Sequence, residues 1–505
     1  MPVDNRRIAK NTLMLYIRML LLMAISLYTS RVILAALGVD DFGILNLIGG
    51  FITLFSFISS ALVAAMQRYF NVCLGKSDRE EYQRVYSMGI NIFALFSVFL
   101  LIVGETVGLW FVKTQLNIPT GRETAALWVY QISLITLIVT LFRTPDNASI
   151  IAHEKMEFYA YISIFEALLK LAIVFLLGRI ALDKLILYVL LYLGSAILIN
   201  IIYVIYSHSK IPECRFTLMW DKSLFKSLVS FSGWNMLSGG SRVFKSQGDA
   251  YFINHYYSVA VNAAFGVASQ VYNAVNLFLT NFQTAFKPQL VQTYSAGEMD
   301  AHYKLINRSA KLSYYLLLLI VIPVIFNLDG LLGLWLKEVP LYTKEFCFFV
   351  LLAYLVDALG APLSVSVFAN GNIKYFQIVV AALSVFGLIA GYLCLKAGAL
   401  PYIISVIIFF VHMGFFIADL YFARKYCKVS LRSFIRNSIL PTILVSSVSI
   451  VIPIALSNVN VGKWEVLMVV AADLIWVAII VFFLGLEKEE RNYIMKAVMS
   501  KFRVK

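Results

Sequence analysis

The stretch SIIAHEKMEFYAYISIF at residues 149–165 returns in looser form as SVFANGNIKYFQIVVAA at 366–382. Each follows a proline by four residues, Pro145 in the first case and Pro362 in the second. Two more stretches behave the same way. DDFGILNLIGGFITLF at 40–55 resembles AAFGVASQVYNAVNLF at 263–278, both with Phe-Gly ahead of an apolar run. DREEYQRVYSM at 78–88 resembles EMDAHYKLINRS at 298–309 in its tyrosine spacing. The offsets, about 223, 221 and 217, drift as small insertions and deletions would make them, which is the mark of an internal duplication.

Composition says what is duplicated. Of 505 residues, 61% are apolar and 14% charged, against about 45–50% and 25% in an ordinary soluble domain. One soluble core cannot hide that much apolar surface, so the chain needs a hydrocarbon solvent. The net charge of +14 does not indicate a nucleic-acid binder, which would interleave basic and aromatic residues on one soluble face. Here Lys and Arg fall in short segments between long apolar runs. The five cysteines and five histidines are scattered, with no CxxC pair or Cys/His cluster, so neither a metal site nor a disulfide framework is indicated. The basic start NRRIAK leads into an apolar run from Leu13 to Leu37, long for a secretory signal, and reads as a retained first span.

Runs of about 20 apolar residues are long enough to cross the membrane as helices. Fourteen are predicted, at about 12–36, 43–65, 87–112, 125–147, 157–178, 184–206, 224–253, 260–285, 311–333, 345–368, 375–396, 400–423, 438–457 and 465–486. The seventh is unusually polar. With the N-terminus placed inside, about 29 Lys and Arg fall in inside segments and about 8 in outside ones, a bias that predicts both termini to be cytoplasmic. The outside loops are short, the longest being about 113–124, so no extracytoplasmic domain is expected. The tail EKEERNYIMKAVMSKFRVK reads either as a basic amphipathic helix on the inner surface or as a solvated tail.

The expected fold is therefore all-α and integral to the membrane, with two six-helix lobes and two further helices. Residues 1–210 form the N-lobe (spans 1–6), 211–428 the C-lobe (spans 7–12), 429–486 spans 13 and 14, and 487–505 the tail. Six is even, so both halves start on the same side. They are parallel repeats, related by a pseudo-twofold axis along the membrane normal, the geometry with which transporters build a central site between two rocking lobes.

A cation inside the membrane costs about 2.5–3.5 kcal/mol on insertion scales and should face protein or a wet cavity. Five fall within predicted spans: Arg18, Arg31, Lys170, Arg242 and Lys245. Lys170 lies four residues after Glu166, the favoured order for a helical ion pair. Arg18 and Arg31 sit roughly 10 Å from the two ends of span 1, where they could snorkel to an interface or line a cavity. In LSGGSRVFKSQGD of span 7, Arg242, Lys245 and Asp249 share a helix face at i, i+3 and i+7. Lys245 and Asp249 could neutralise each other, which leaves Arg242 over. Ser269, Asn273, Asn276, Thr280 and Lys287 form a stripe on span 8, and Asn46, Gly49, Gly50, Thr53, Ser56 and Ser60 form one on span 2. Such stripes also serve plain helix packing, but two on repeat-equivalent spans point to a shared cavity lined by spans 1, 2, 7 and 8. Arg forks match phosphate oxygens, and amides and hydroxyls match sugars. The candidate substrate-binding set is Arg18, Arg31, Arg242, Lys245, Asn273 and Asn276. Asp249 and Asp357 are candidates for a coupling ion, sodium or proton, with ion pairing or an interfacial position as the plainer reading.

LGVDDFGILNL with MQRYFN after span 2, and ASIIAHEKMEFYA after span 4, resemble the polysaccharide flippases of the multidrug/oligosaccharidyl-lipid/polysaccharide (MOP) exporter superfamily, in particular the O-antigen and capsule transporters of the Wzx type. The likeness runs through length, span number, duplication and small loops. It implies translocation of an undecaprenyl-pyrophosphate-linked oligosaccharide across the bacterial inner membrane by alternating access. Cations of the first and seventh spans would hold the pyrophosphate, here Arg18 or Arg31 and Arg242 or Lys245. Arg68 in QRYF matches the family pattern and serves equally as a topological anchor. Implied partners are the lipid-linked oligosaccharide, membrane lipids, and the polysaccharide polymerase and chain-length machinery. No cofactor and no nucleic acid are implied. Two alternatives stand beside this reading. One is an ion-coupled small-molecule exporter of the MATE kind. The other is an integral-membrane polymerase or ligase, which would need reactive groups in a sizeable outer loop.

Overall fold

A computed structural model describes residues 5–37, 41, 44–45, 48, 56–114, 118, 121–177, 183–257, 259–336, 339–456, 465–488, 490–492 and 495. Among them every regular element is a helix, as a chain in hydrocarbon requires, because a helix satisfies its own N–H and C=O groups. The long helices are α1 (Asn5–Leu37), α2 (Ser56–Lys76), α3 (Arg79–Thr114), α4 (Glu123–Ala152), α5 (Met156–Leu177), α6 (Lys184–Lys210), α7 (Lys222–Tyr256), α8 (Val259–Ser295), α9 (Met299–Phe326), α10 (Thr343–Asn370), α11 (Lys374–Lys396), α12 (Ile403–Cys427), α13 (Leu431–Leu456) and α14 (Glu465–Gly485). Each of the fourteen predicted spans has a helix at its place. Ten, α3–α6 and α9–α14, are long and apolar enough to cross a membrane. The others are also long but more polar: α7 and α8 have 35 and 37 residues, and their polar stripes dilute the apolar signal. Of the first half of predicted span 2, only residues 44–45 and 48 are described.

The chain forms two compact units. The first comprises Met1–Gly239 and Thr284–Glu298, the second Gly240–Gln283 and Met299–Lys505. In the first, α1 packs on α5, α4 and α5 on α6, and α2 on α3 and on the last two turns of α4. In the second, α9 and α12 flank α10, α11 lies on α12, and α13 and α14 pack on α9.

The duplication is visible inside the two units. Helices starting at Arg79, Glu123, Met156 and Lys184 in the first are matched by starts at Met299, Thr343, Lys374 and Ile403 in the second, 218–220 residues on. Left-handed turn residues recur as well: Ser77 and Gly297, Gly121 and Tyr342, Glu154 and Gly371, at offsets of 220, 221 and 217. The last pair sits in the twice-written stretch that begins at Ser149 and Ser366. Side-chain contacts repeat too. Tyr82 Oη lies 2.7 Å from Ser149 Oγ, and Ser149 Oγ lies 2.9 Å from Cys214 Sγ. In the second unit, His302 Nε2 lies 2.7 Å from Ser366 Oγ, and Cys427 Sγ donates to the Ser366 carbonyl at 3.2 Å. Structural register thus pairs Tyr82 with His302, one residue from the tyrosine match read in the sequence.

Charged residues tie the ends together. Arg122, just before α4, binds Asp41 and Asp183 at 2.5 Å each, and Asp183 also caps α6 by accepting from the Leu185 and Ile186 amides. Glu166 accepts from both Lys170 and Arg143, at 2.8 and 3.0 Å, so Lys170 is structurally paired. At the start of the tail, Glu487 binds Lys311 and Glu490 binds Arg308, each at 2.6 Å. Residues 496–505 lie outside the described residues, and the tail prediction with them.

Candidate functional site

The polar face of α7 carries the site. Its stretch SRVFKSQGD places Arg242, Lys245 and Asp249 one turn apart. Lys245 Nζ and Asp249 Oδ2 form an ion pair of 2.5 Å, with the two residues only 8% and 1% exposed. The pair is buried because α11 presents glycines to it. A Cβ on Gly387 would lie 2.8 Å from Lys245 Cε, and one on Gly391 would lie 3.6 Å from Asp249 Oδ1. These glycines are four residues apart in FGLIAGY, the spacing that lets helices approach closely in lipid. Asp249 Oδ1 itself has no hydrogen-bond partner.

Arg242 stands one turn before the pair and is exposed. Its guanidinium lies 4.6 Å from the ring centroid of Phe415 on α12, a cation–π contact. Among the described residues no carboxylate comes within 4 Å of it. Asp357 of α10 hydrogen-bonds His412 Nδ1 of α12 at 2.7 Å, and Asp419 accepts from Ser364 Oγ at 2.5 Å. Gly360 makes room for Asp419, since a Cβ there would lie 2.5 Å from Asp419 Oδ2. His412, Phe415 and Asp419 share a face of α12 at i, i+3 and i+7.

A cavity of about 140 Å³ within the second unit brings these groups together. Arg242, Lys245, Asp249, His412 and Phe415 line it, with hydroxyls from Ser269, Tyr272 and Ser384. Lys245 and Asp249 cancel, and Asp357 is held by His412. Arg242 is left without an ion-pair partner within 4 Å, its charge felt at longer range by Asp419, beside hydroxyls and an aromatic wall.

The other predicted site residues lie elsewhere. Arg18, in the first unit, donates from Nη2 to Tyr159 Oη at 3.2 Å and stacks 4.4 Å from that ring. Arg31 lies on α1, and its side chain is outside the described residues. Asn273 is exposed and Asn276 half-buried on α8, and neither lines the cavity. Their stripe diverges from it after Ser269 and Tyr272. Arg68 rests between Tyr69 and Phe231 at 4.9 and 5.1 Å. Sequence reasoning passed over His412. The available signal was an ionisable ring inside the apolar run IIFFVHMGFF, which by default marks a functional position.

No family model matches the chain. EpsK, an uncharacterized membrane protein of Bacillus subtilis (strain 168), is 22% identical over 302 residues. That match spans 59% of this chain and 59% of the length of EpsK. Solved structures match over more of the chain. A MATE transporter in complex with MaD3S superposes with a TM-score of 0.71 at 11% identity, covering 84% of this chain and 96% of that one. The same figures hold for a MOP superfamily transporter from Pyrococcus furiosus, described by the reverse polarity of its binding pocket. A mutant of the Vibrio cholerae MATE transporter VcmN gives 0.65 at 17% identity, covering 85% and 97%. At such identities the likeness is one of fold. The chain is a multi-pass membrane protein with a MATE-like fold.

Proposed function

We propose that the protein is an alternating-access exporter of an anionic, glycosylated lipid. Its cargo is an undecaprenyl-pyrophosphate-linked sugar repeat, carried across the bacterial inner membrane for surface polysaccharide such as O-antigen or capsule. The observation that carries this reading is Arg242, a guanidinium in the cavity with no carboxylate of the described residues within ion-pairing distance. Arg presents a planar fork of donors that fits phosphate oxygens two at a time. Ser269 and Ser384 donate to the Phe265 and Val380 carbonyls, so their remaining lone pairs suit a sugar O–H as donor, and the phosphate contact falls to Arg242. The cavity's 140 Å³ is a few waters' worth at about 30 Å³ each. It therefore suits the charged group of such a cargo, and the sugars and lipid would lie beyond it. Arg18 and Arg31 stay candidates for a second phosphate contact. The polymerase and chain-length machinery are the partners this cargo would require.

The test is export in cells. Arg242→Ala should keep expression and membrane insertion but lower surface polysaccharide by about tenfold or more, as loss of a charged hydrogen-bonding group at a buried anion does. Arg242→Lys should recover only part of it, because a point charge lacks the fork. Full export in Arg242→Ala would overturn the proposal.

A second reading has its own observation. Asp249 Oδ1 is buried without a hydrogen-bond partner, and Asp357 is bonded to a histidine. Free carboxylate oxygen beside a proton-active ring suits sodium or proton coupling, as an ion-driven exporter of small molecules would need. Under this reading Asp249→Asn abolishes drug tolerance in a sensitised strain while surface polysaccharide stays normal.

A further inference from the structure

Residues 211–221 join α6 to α7; after a turn at 212–213 the chain runs along α3. Gln83 Nε2 donates to the Arg215 carbonyl at 3.2 Å. Ser87 Oγ accepts from the Thr217 amide at 3.1 Å. Asn91 Nδ2 donates to the Met219 carbonyl at 2.7 Å. The helix residues are four apart and the strap residues two apart. Four residues of helix rise about 6 Å and two of extended chain about 6.6 Å, so the two run in register with one tie per turn. Both ends are fixed: Arg79 binds Glu213 at 3.3 Å and Arg84 binds Asp221 at 2.5 Å.

Extended backbone sends alternate side chains to opposite faces. Phe216, Leu218 and Trp220 share one face and are uncovered by protein, at 44%, 90% and 58% exposure. Behind them is a cleft of about 470 Å³, walled by Leu218, Met219 and Trp220 and by Ala94, Leu95 and Val98 of α3. It is apolar except for Asn91, whose amide is committed to the strap.

We propose that this strap is a lipid site, in which a bilayer phospholipid lays an acyl chain in the cleft and Phe216, Leu218 and Trp220 seat in the membrane interface. Continuity argues for lipid as the occupant. The cleft opens onto Val98, Phe99 and Ile102 of α3, uncovered at 55%, 52% and 60%, on a helix of membrane-spanning length and composition. Charge argues the same way. Lys210, Arg215, Lys222 and Lys226 flank the strap, all exposed, where headgroup phosphates lie. Tryptophan favours that boundary because its ring is apolar and its N–H polar. The proposal needs only the membrane reading and stands apart from the identity of the cargo.

The full chain, reconstituted in phosphatidylcholine vesicles free of any lipid-linked sugar, tests it. The emission of Trp220 is taken as the difference between the wild type and Trp220→Phe. In vesicles with dibrominated acyl chains this component should fall by about half or more, as for a ring held at the interface, and aqueous iodide should leave it unchanged. Quenching by iodide alone would put the strap in water and overturn the proposal. Protection from both quenchers would mean that protein, such as a second copy, covers it, and would overturn it too. Leu218→Trp in the Trp220→Phe background repeats the measurement at a side chain with almost no protein contact to lose.

Discussion

Gly387 stands where any side chain would press on Lys245: a Cβ at this position of α11 would lie 2.8 Å from Lys245 Cε and 2.6 Å from Val411 Cγ2. Gly387→Val should therefore destabilise the protein by about 1–3 kcal/mol, the usual result of overpacking. A lowered melting temperature in detergent checks this. Gly414, whose Cβ would meet the flexible end of Leu383 at 3.2 Å, should tolerate alanine much better.

The ion pair behind Gly387 makes a sharper prediction. Asp249→Asn leaves Lys245 buried without its counter-ion, which should cost about 3–5 kcal/mol. The double variant Lys245→Met with Asp249→Asn removes both charges and should recover most of that loss. A double-mutant cycle on thermal or denaturant unfolding reads the coupling. Additive losses would mean that the two groups do not depend on each other.

The repeated Ser contacts predict parallel behaviour in the two units. Ser149→Ala removes the 2.7 Å contact of the buried Tyr82 hydroxyl and leaves it only a longer one to His153 Nδ1 at 3.4 Å, and Ser366→Ala removes one partner of His302, which is 0% exposed. Each should cost about 0.5–1.5 kcal/mol, the net worth of one hydrogen bond. Melting curves of the two single variants check it. A neutral Ser366→Ala would mean that the contact with Ser366 contributes nothing net to stability.

Acid should loosen one end of the first unit. The Arg122 guanidinium beside Asp183 holds that carboxyl below the usual carboxylate range, helped by the Ile186 and Leu185 amides. A depressed carboxylate stabilises the fold above its unfolded pKa, about 3.9 for Asp, and the contribution fades as pH falls through the lower folded value. Hydrogen exchange at the start of α6 should accelerate as pH drops through that window, after correction for the intrinsic rate. Arg122→Ala should move the acceleration to higher pH.

Much of the fold was legible because membrane spans announce themselves through length and apolarity, and because the chain states its plan twice. α7 and α8 were the hard cases. Their polar stripes hide them from a hydropathy criterion, yet the stripe of α7 marks the face that lines the cavity. The cavity was only half legible. Periodicity puts Arg242, Lys245 and Asp249 on one face, but it cannot say that α11 and α12 cover that face. His412 and Asp357 are 55 residues apart on different helices, and their contact leaves no local trace. Asn273 and Asn276, assigned to a cavity shared by spans 1, 2, 7 and 8, lie apart from the cavity that α7 lines with α11 and α12. The one-residue step that aligns Tyr82 with His302 was masked by the neighbouring Tyr303, which offered a better letter match in the wrong register.

The tethers Lys311–Glu487 and Arg308–Glu490 bear on how the appended α13–α14 hairpin stays in place. Lipid tails are as good a neighbour as leucine, so apolar faces gain little by choosing each other within the bilayer. What fastens the exit of α14 to α9 lies at the water boundary, where the Glu487 side chain is 64% exposed and dissolved ions can screen it. Ionic strength therefore loosens one fastening and spares the other: electrolyte weakens Lys311–Glu487, while Arg308–Glu490, with the Glu490 side chain only 7% exposed, holds through brine.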